Sequence, residues 1–185
     1  KELIMPKISV VIPTLGEEKR PSLRIVLNSV SDADEVIVVT DGLRRECVEL
    51  TNRGVKKAIG DIVIVLNDRQ KFSPDWKEET LKAFAQINNS GLVNYASNMV
   101  LAGAVSRDYL EKYLGGFFYW PGYIHFYGDA ELGEVARRQG KYIERRLLVE
   151  TLPRPNTDNR GINGKTPVAW DMKMFYAREK LNFPF

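Results

Sequence analysis

Three short runs of almost unbroken apolar residues limit the fold of this chain more than anything else in it. Ile8-Ser9-Val10-Val11-Ile12, Val36-Ile37-Val38-Val39 and Ile62-Val63-Ile64-Val65-Leu66 are rich in β-branched side chains and too short for helices. A strand with one wet face alternates apolar and polar residues; one that is apolar throughout is buried on both faces, as in a parallel sheet. Each run stops at a polar turn, at Pro13-Thr14, Thr40-Asp41-Gly42 and Asn67-Asp68-Arg69. Helical spacing fills the gaps. Leu23, Val26, Leu27 and Val30 recur after Pro21, and a second helical stretch runs from about Leu43 to Ile59 and stops at Gly60. Strands joined through helices in this way make right-handed crossovers. The pattern predicts an α/β chain with a Rossmann-like, mostly parallel sheet flanked by helices in a single compact domain.

The pattern continues past Ser73-Pro74 with a helix that turns Trp76, Leu81, Phe84 and Ala85 inward until Asn88-Asn89-Ser90-Gly91 breaks it. Leu92 to Val105 reads as two strands interrupted at Asn94, Asn98 and Gly103. Leu110 and Leu114 mark a short helix ended by Gly115-Gly116. Asp129 to Gln139 is a further helix with Leu132, Val135 and Ala136 inward, and Tyr142 to Val149 a last strand. From Pro153 the residues are those of a loop, and Trp170 to Leu181 reads as a closing helix. Residues 1–150 thus form the main domain, and residues 151–185 a loop and short helix packing on or over its site.

Composition excludes several classes of function. Lys and Arg number 27 against 24 Asp and Glu, and a net charge of +3 is too small for a dedicated nucleic-acid footprint. The pairs Lys56-Lys57, Arg137-Arg138 and Arg145-Arg146 are either solvated helix faces or partners for a diphosphate. A lone Cys47 cannot form an internal bridge, which favours a reducing, cytoplasmic setting. No apolar run approaches the roughly 20 residues of a membrane span, and a basic-then-apolar signal pattern is missing, so the expectation is a soluble protein. The start at Lys1 suggests trimming.

Ligands of open α/β sheets bind beyond the carboxyl ends of the strands. Those ends carry Pro13, Thr14, Asp41, Asp68 and Arg69, and two carboxylates with a hydroxyl suit a nucleotide better than an apolar ligand. Neither a GxGxxG turn after the first strand nor a GxxxxGK[ST] loop occurs, so the phosphates are held by other means. His125 is the only histidine and has no companions for a metal set. The cluster Phe117, Phe118, Tyr119, Trp120, Tyr123, Phe126 and Tyr127 either stacks an acceptor or covers the sheet.

The first run with Pro13-Thr14, the second with Thr40-Asp41-Gly42, and Gly60-Asp61 through Asn67-Asp68 with Pro74 and Trp76 resemble successive blocks of the family 2 glycosyltransferases. Gly115-Gly116-Phe117 and Gly128-Asp129-Ala130-Glu131-Leu132, with Arg137-Arg138-Gln139-Gly140, resemble the acceptor-side blocks of that family. The resemblance spans about residues 8 to 145. It implies a GT-A fold, a nucleoside-diphosphate sugar donor and transfer with inversion to a sugar, lipid or protein acceptor. It puts Pro13, Thr14 and Asp41 at the nucleoside, Asp68 at a Mg²⁺ or Mn²⁺ ion against the diphosphate, and Asp129 at the catalytic base with Glu131 beside it as second candidate. Three positions depart from the family pattern, with Thr40, Arg69 and Gly128 standing where acids are usual.

Inverting transfer needs a carboxylate to take the acceptor proton and a cation to neutralise the departing diphosphate. Asp129 at a helix start fits the first need, and the helix dipole is expected to lower its pKa; the bland alternative is a plain helix-start acid. Asp68 and Asp41-Gly42 also have bland readings as turn residues. Arg69 beside Asp68 allows two arrangements. Either Asp68 and phosphate oxygens hold the ion with the guanidinium turned away, or Arg69 replaces the ion. Arg154 to Lys165, rich in Pro, Asn and Gly, is expected to close over the diphosphate as a lid. Two rival functions remain: a nucleotide-sugar-binding pseudoenzyme, and a sugar-nucleotidyltransferase, which needs a glycine-rich basic loop that Leu15 to Arg20 does not supply. Donor sugar, base, acceptor and oligomeric state are not legible.

Overall fold

The first apolar run forms β1 (Ile8–Pro13), which lies inside the sheet with a parallel neighbour on either side. The computed structural model describes residues 5–14, 21–40, 47–96, 99–153 and 165–184. Along the chain follow α1 (Ser22–Ser29), β2 (Glu35–Val39), α2 (Cys47–Lys57), β3 (Ile62–Val65), β4 (Gln70–Phe72) and α3 (Trp76–Gln86). Then come β5 (Leu92–Asn94), β6 (Gly103–Ser106), α4 (Arg107–Tyr113) and α5 (Gly128–Arg138). The described chain closes with β7 (Tyr142–Glu144), a 3₁₀ turn at Arg146–Leu148, β8 (Val149–Thr151) and α6 (Lys165–Lys180).

Six strands make one sheet in the order β2-β1-β3-β6-β5-β7. β6 alone runs against the rest, antiparallel to both β3 and β5, while β5 and β7 are parallel. The ends of β1, β2 and β3 therefore lie on one edge, and the start of β6 joins them there because Gly103 pairs with Val65.

The first and third apolar runs are buried on both faces, as their composition requires; the second is not, because β2 is the outermost strand of the sheet, where Val36 and Val38 are exposed and Val39 alone is buried. Val11 and Val63 pack with Val48, Val55, Leu132 and Ala136 on one side; Val10, Ile12, Ile62 and Ile64 pack with Leu23, Val26, Trp76 and Phe84 on the other. Each such side chain contributes about 1.5–3 kcal/mol on burial, so the central strands anchor both helical layers. Gly54 lets α2 lie directly on the strands. A Cβ there would overlap Val11 Cγ1 and come within 2.7 Å of Val39 Cγ2.

Three local expectations are revised. Ala85 is exposed, and α3 buries Thr80 and Ala83 with Trp76 and Phe84 instead. The expected strand from Tyr142 to Val149 is broken: a tight turn, Leu148 N–H to Arg145 O, carries the chain out of the main sheet into a two-stranded ribbon of β4 and β8. The closing helix begins at Lys165, ahead of the expected Trp170, and no helix among the described residues is long and apolar enough to cross a membrane.

Candidate active site

Thr14 and Asp68, which end β1 and follow β3, meet at the carboxyl edge of the sheet. The Thr14 hydroxyl donates to Asp68 Oδ2 at 2.9 Å, and both side chains are buried. Thr14 N–H continues the parallel ladder to Val39 O, and the half-buried Pro13 pairs with Val39. The Asp68 carbonyl accepts the Ser22 hydroxyl at the start of α1, while its turn is closed by Gln70 N–H to Asn67 O and by Arg69 N–H to Asn67 Oδ1. Three elements thus fix one carboxylate. Asp41 lies outside the described residues; Thr40, just before it, is at this edge, its carbonyl accepting from Arg53.

Arg69 is held by the ribbon. Leu152 N–H donates to Arg69 O at 2.7 Å, and Arg69 Nη1 donates back to Leu152 O at 3.3 Å. The guanidinium is therefore turned toward the end of β8. Among the described residues no three His, Cys, Asp or Glu side chains gather in a metal-holding group. Among the described residues Asp68 is the carboxylate that these strand ends bring to the edge, and one carboxylate completed by phosphate oxygens and water is ordinary for Mg²⁺.

Asp129 stands in the first turn of α5, half-buried. Its carbonyl accepts Val100 N–H at 3.3 Å, and Val100 leads into Gly103, the partner of Val65 in β3. The Tyr119 hydroxyl also donates to Val100 O at 2.8 Å, so the start of α5 and Tyr119 are both tied to the segment that leads into β6. Burial raises the Asp129 carboxyl above its ordinary pKa. The Ala130 N–H and the charge of His125 oppose this and lose. The expected lowering by the helix dipole is thus reversed: desolvation outweighs the first-turn amides here.

Gly128, where the family pattern has an acid, faces Tyr119. A Cβ at this position would lie 3.0 Å from Tyr119 Cβ, and Tyr119 is itself fixed, its backbone N–H donating to Asn52 Oδ1 and its carbonyl accepting from Asn52 Nδ2. Glu131 points into the interior. Arg178 of α6 grips it through Nε at 2.9 Å and Nη2 at 2.8 Å, and the Tyr123 hydroxyl donates to Oε2 at 2.6 Å. The Arg178 guanidinium also covers the Trp120 ring at 3.8 Å. Most of the aromatic cluster is core rather than surface, with Phe118, Tyr119 and Tyr123 buried.

Asn52, Arg178 and Asp171 escape the sequence. Asn52 sits among ordinary helix polars, and Asp171 and Arg178 lie in a segment whose pattern fades. Asp171 accepts backbone N–H bonds from Ile124, His125 and Phe126, each at 2.8 Å. The expected lid of Arg154 to Lys165 falls outside the described residues up to Lys165, where α6 begins.

No model of a known protein family matches the chain, and no curated protein sequence does either. Solved structures do. A mannosyltransferase from Pyrobaculum calidifontis, in complex with GDP-mannose and Mn²⁺, superposes with a TM-score of 0.63 at 16% identity over 98% of this chain. Glucosyl-3-phosphoglycerate synthase from Mycobacterium tuberculosis, with Mn²⁺, UDP-glucose and phosphoglyceric acid, gives 0.64 at 15% identity over 96% of this chain and 80% of its own. The chain has the GT-A fold. A third GT-A structure, TarS from S. aureus, gives 0.61 at 13% identity over 79% of this chain. The chain spans 64% of the mannosyltransferase and 60% of the TarS structure.

Proposed function

We propose that this chain is an inverting glycosyltransferase of family 2 that moves a sugar from a nucleoside-diphosphate sugar to an acceptor hydroxyl. What supports the reading is a GT-A sheet whose carboxyl edge carries Asp68, bound by Thr14, together with the backbone bond that ties Asp129 to Val100, in the segment leading into the strand beside β3. Pro13 and Thr14, with Asp41, receive the nucleoside. Asp68 would hold Mg²⁺ or Mn²⁺ together with the diphosphate oxygens, with the Arg69 guanidinium turned to the Leu152 carbonyl. When bound, the ion neutralises the charge that develops on the departing diphosphate.

Asp129 takes the proton. The acceptor oxygen attacks the anomeric carbon from the face opposite the diphosphate, its O–H proton passes to the Asp129 carboxylate, and the bond from carbon to diphosphate breaks with its electron pair leaving on oxygen. A carboxyl raised by burial is a better proton acceptor than an ordinary aspartate. Glu131 is not assigned this step, because Arg178 and Tyr123 occupy its oxygens.

Incubation with a panel of donors that includes UDP-glucose and GDP-mannose, with Mn²⁺ and with EDTA, tests the reading through released nucleoside diphosphate. Release that depends on Asp129 supports it. Nucleotide binding without release from any donor would support the pseudoenzyme, and neither binding nor release would sink both.

A further inference from the structure

Helix α6 places three side chains on one stripe, at Asp171, Phe175 and Arg178, spaced four and three residues apart. Residues at that spacing share a helix face. All three reach the segment that leads into α5.

Asp171 is fully buried, and its Oδ1 accepts from Ile124 N–H while Oδ2 accepts from His125 and Phe126 N–H. Three successive amides turned to one point form a concavity that suits an anion, and here the chain fills it with its own carboxylate. The next residue, Tyr127, is left-handed at φ +67°, a strained conformation for a residue with a large side chain. Phe175 packs on the Tyr127 ring at 5.2 Å between centroids. Arg178 then fixes Glu131, one turn into α5. Asp129 lies midway between the two fixed residues, Tyr127 and Glu131.

A buried carboxylate is a poor way to gain stability, because desolvation offsets much of what its bonds return. Phe175 and Phe183 would hold α6 to the core by apolar contact alone. The three bonds of Asp171 all go to one five-residue approach to Asp129, which marks positioning rather than adhesion as their use.

We propose that Asp171 is a positioning residue: by gathering the amides of Ile124, His125 and Phe126, it sets the left-handed turn at Tyr127 and so aims the Asp129 carboxylate at the acceptor. This rests on the assignment of Asp129 as base. Asp171 does not touch the reacting atoms. Its effect is on geometry, and displacement of a reacting group by about 1 Å costs on the order of 100-fold in rate.

Asp171→Asn keeps the shape of the side chain but sets an NH₂ group against at least one of the amides. Two readouts test the proposal. Hydrogen exchange of peptides covering 120–132 is expected to speed up in Asp171→Asn while peptides from β1 and β3 stay as in wild type; unchanged exchange at 127–130 overturns the proposal with no need of activity. With UDP-glucose or GDP-mannose, whichever the wild-type protein turns over, kcat is expected to fall at least about tenfold while donor KM stays within about twofold. An unchanged kcat, or a loss confined to donor KM, also overturns it. Phe175→Leu loosens the same turn from a partly buried position and is expected to give a smaller change of the same kind, which covers the case of an Asp171→Asn protein that does not fold. Asp129→Asn is assayed in parallel. If it keeps full activity, the assignment of the base has failed; if it is inactive and both α6 variants match wild type, only the positioning role has.

Discussion

Thr14 and Asp68 are separated by 54 residues of sequence and joined by one buried hydrogen bond of 2.9 Å. The bond closes the ends of β1 and β3 into a single corner, and it fixes the Asp68 carboxylate at the carboxyl edge of the sheet. Preorganised charge of this kind needs no reorganisation during reaction.

Asp68→Asn is expected to weaken donor binding by about 10- to 100-fold, the range for losing a charged hydrogen-bonding or metal-holding partner. Calorimetric titration with UDP or GDP and Mn²⁺ measures it. Equal affinity in wild type and variant would remove Asp68 from the donor site.

Arg69 makes the metal response distinctive. Wild-type protein is expected to bind Mn²⁺ only when nucleoside diphosphate supplies the missing oxygens, whereas Arg69→Asp adds a second carboxylate and should bind the ion alone. Mn²⁺ titration followed by electron paramagnetic resonance distinguishes the two. Tight binding by wild type without nucleotide would contradict the single-carboxylate site.

The raised Asp129 carboxyl links activity, stability and pH. The folded protein holds this proton more tightly than the unfolded chain does, so the contribution of the group to stability is greatest below the ordinary aspartate value of 3.8 and declines as pH rises from there through the raised folded value. Asparagine cannot ionise. At neutral pH Asp129→Asn is therefore expected to melt above wild type while turnover falls by at least about 100-fold, and the acid limb of the wild-type rate profile should lie above the ordinary aspartate range. A melting temperature below that of wild type would speak against burial as the cause.

Arg178→Met leaves the Glu131 carboxylate buried without its cation, a change that costs about 3–5 kcal/mol. Urea unfolding should report that loss. The double variant Glu131→Gln, Arg178→Met is expected to recover part of it, because the unpaired charge is gone; no recovery would show that Arg178 acts through Trp120 and the Pro184 carbonyl, its other partners.

The sheet was open to reading because β1 and β3 carry their burial in consecutive residues, so local composition reports the tertiary environment; β2 is as apolar but stands at the sheet edge, and composition alone does not reveal that Val36 and Val38 are exposed there. The start of α5 at residues 128 and 129 was equally plain, through Leu132, Val135 and Ala136 at helical spacing. What stayed hidden depends on distant partners. β4 is three residues long and exists through pairing with β8 nearly eighty residues on, a contact that no local window contains. The same holds for Asp171, whose role comes from amides about 46 residues earlier. The sign of the Asp129 shift was misread because the dipole is visible in sequence and desolvation is not.

Helix α6 is last in chain order among the elements described, and this has a consequence for synthesis. A nascent chain that has left the ribosome as far as Thr151 owns all six strands of the main sheet and the Thr14–Asp68 corner, so under the proposed function the part that would take nucleotide can form early. The part that would take the acceptor proton under that proposal waits for Asp171, Phe175 and Arg178 to emerge. Domains fold as they are made. Under the proposed function donor capture would therefore precede competence for transfer, and a chain without α6 is expected to hold a nucleotide it cannot use.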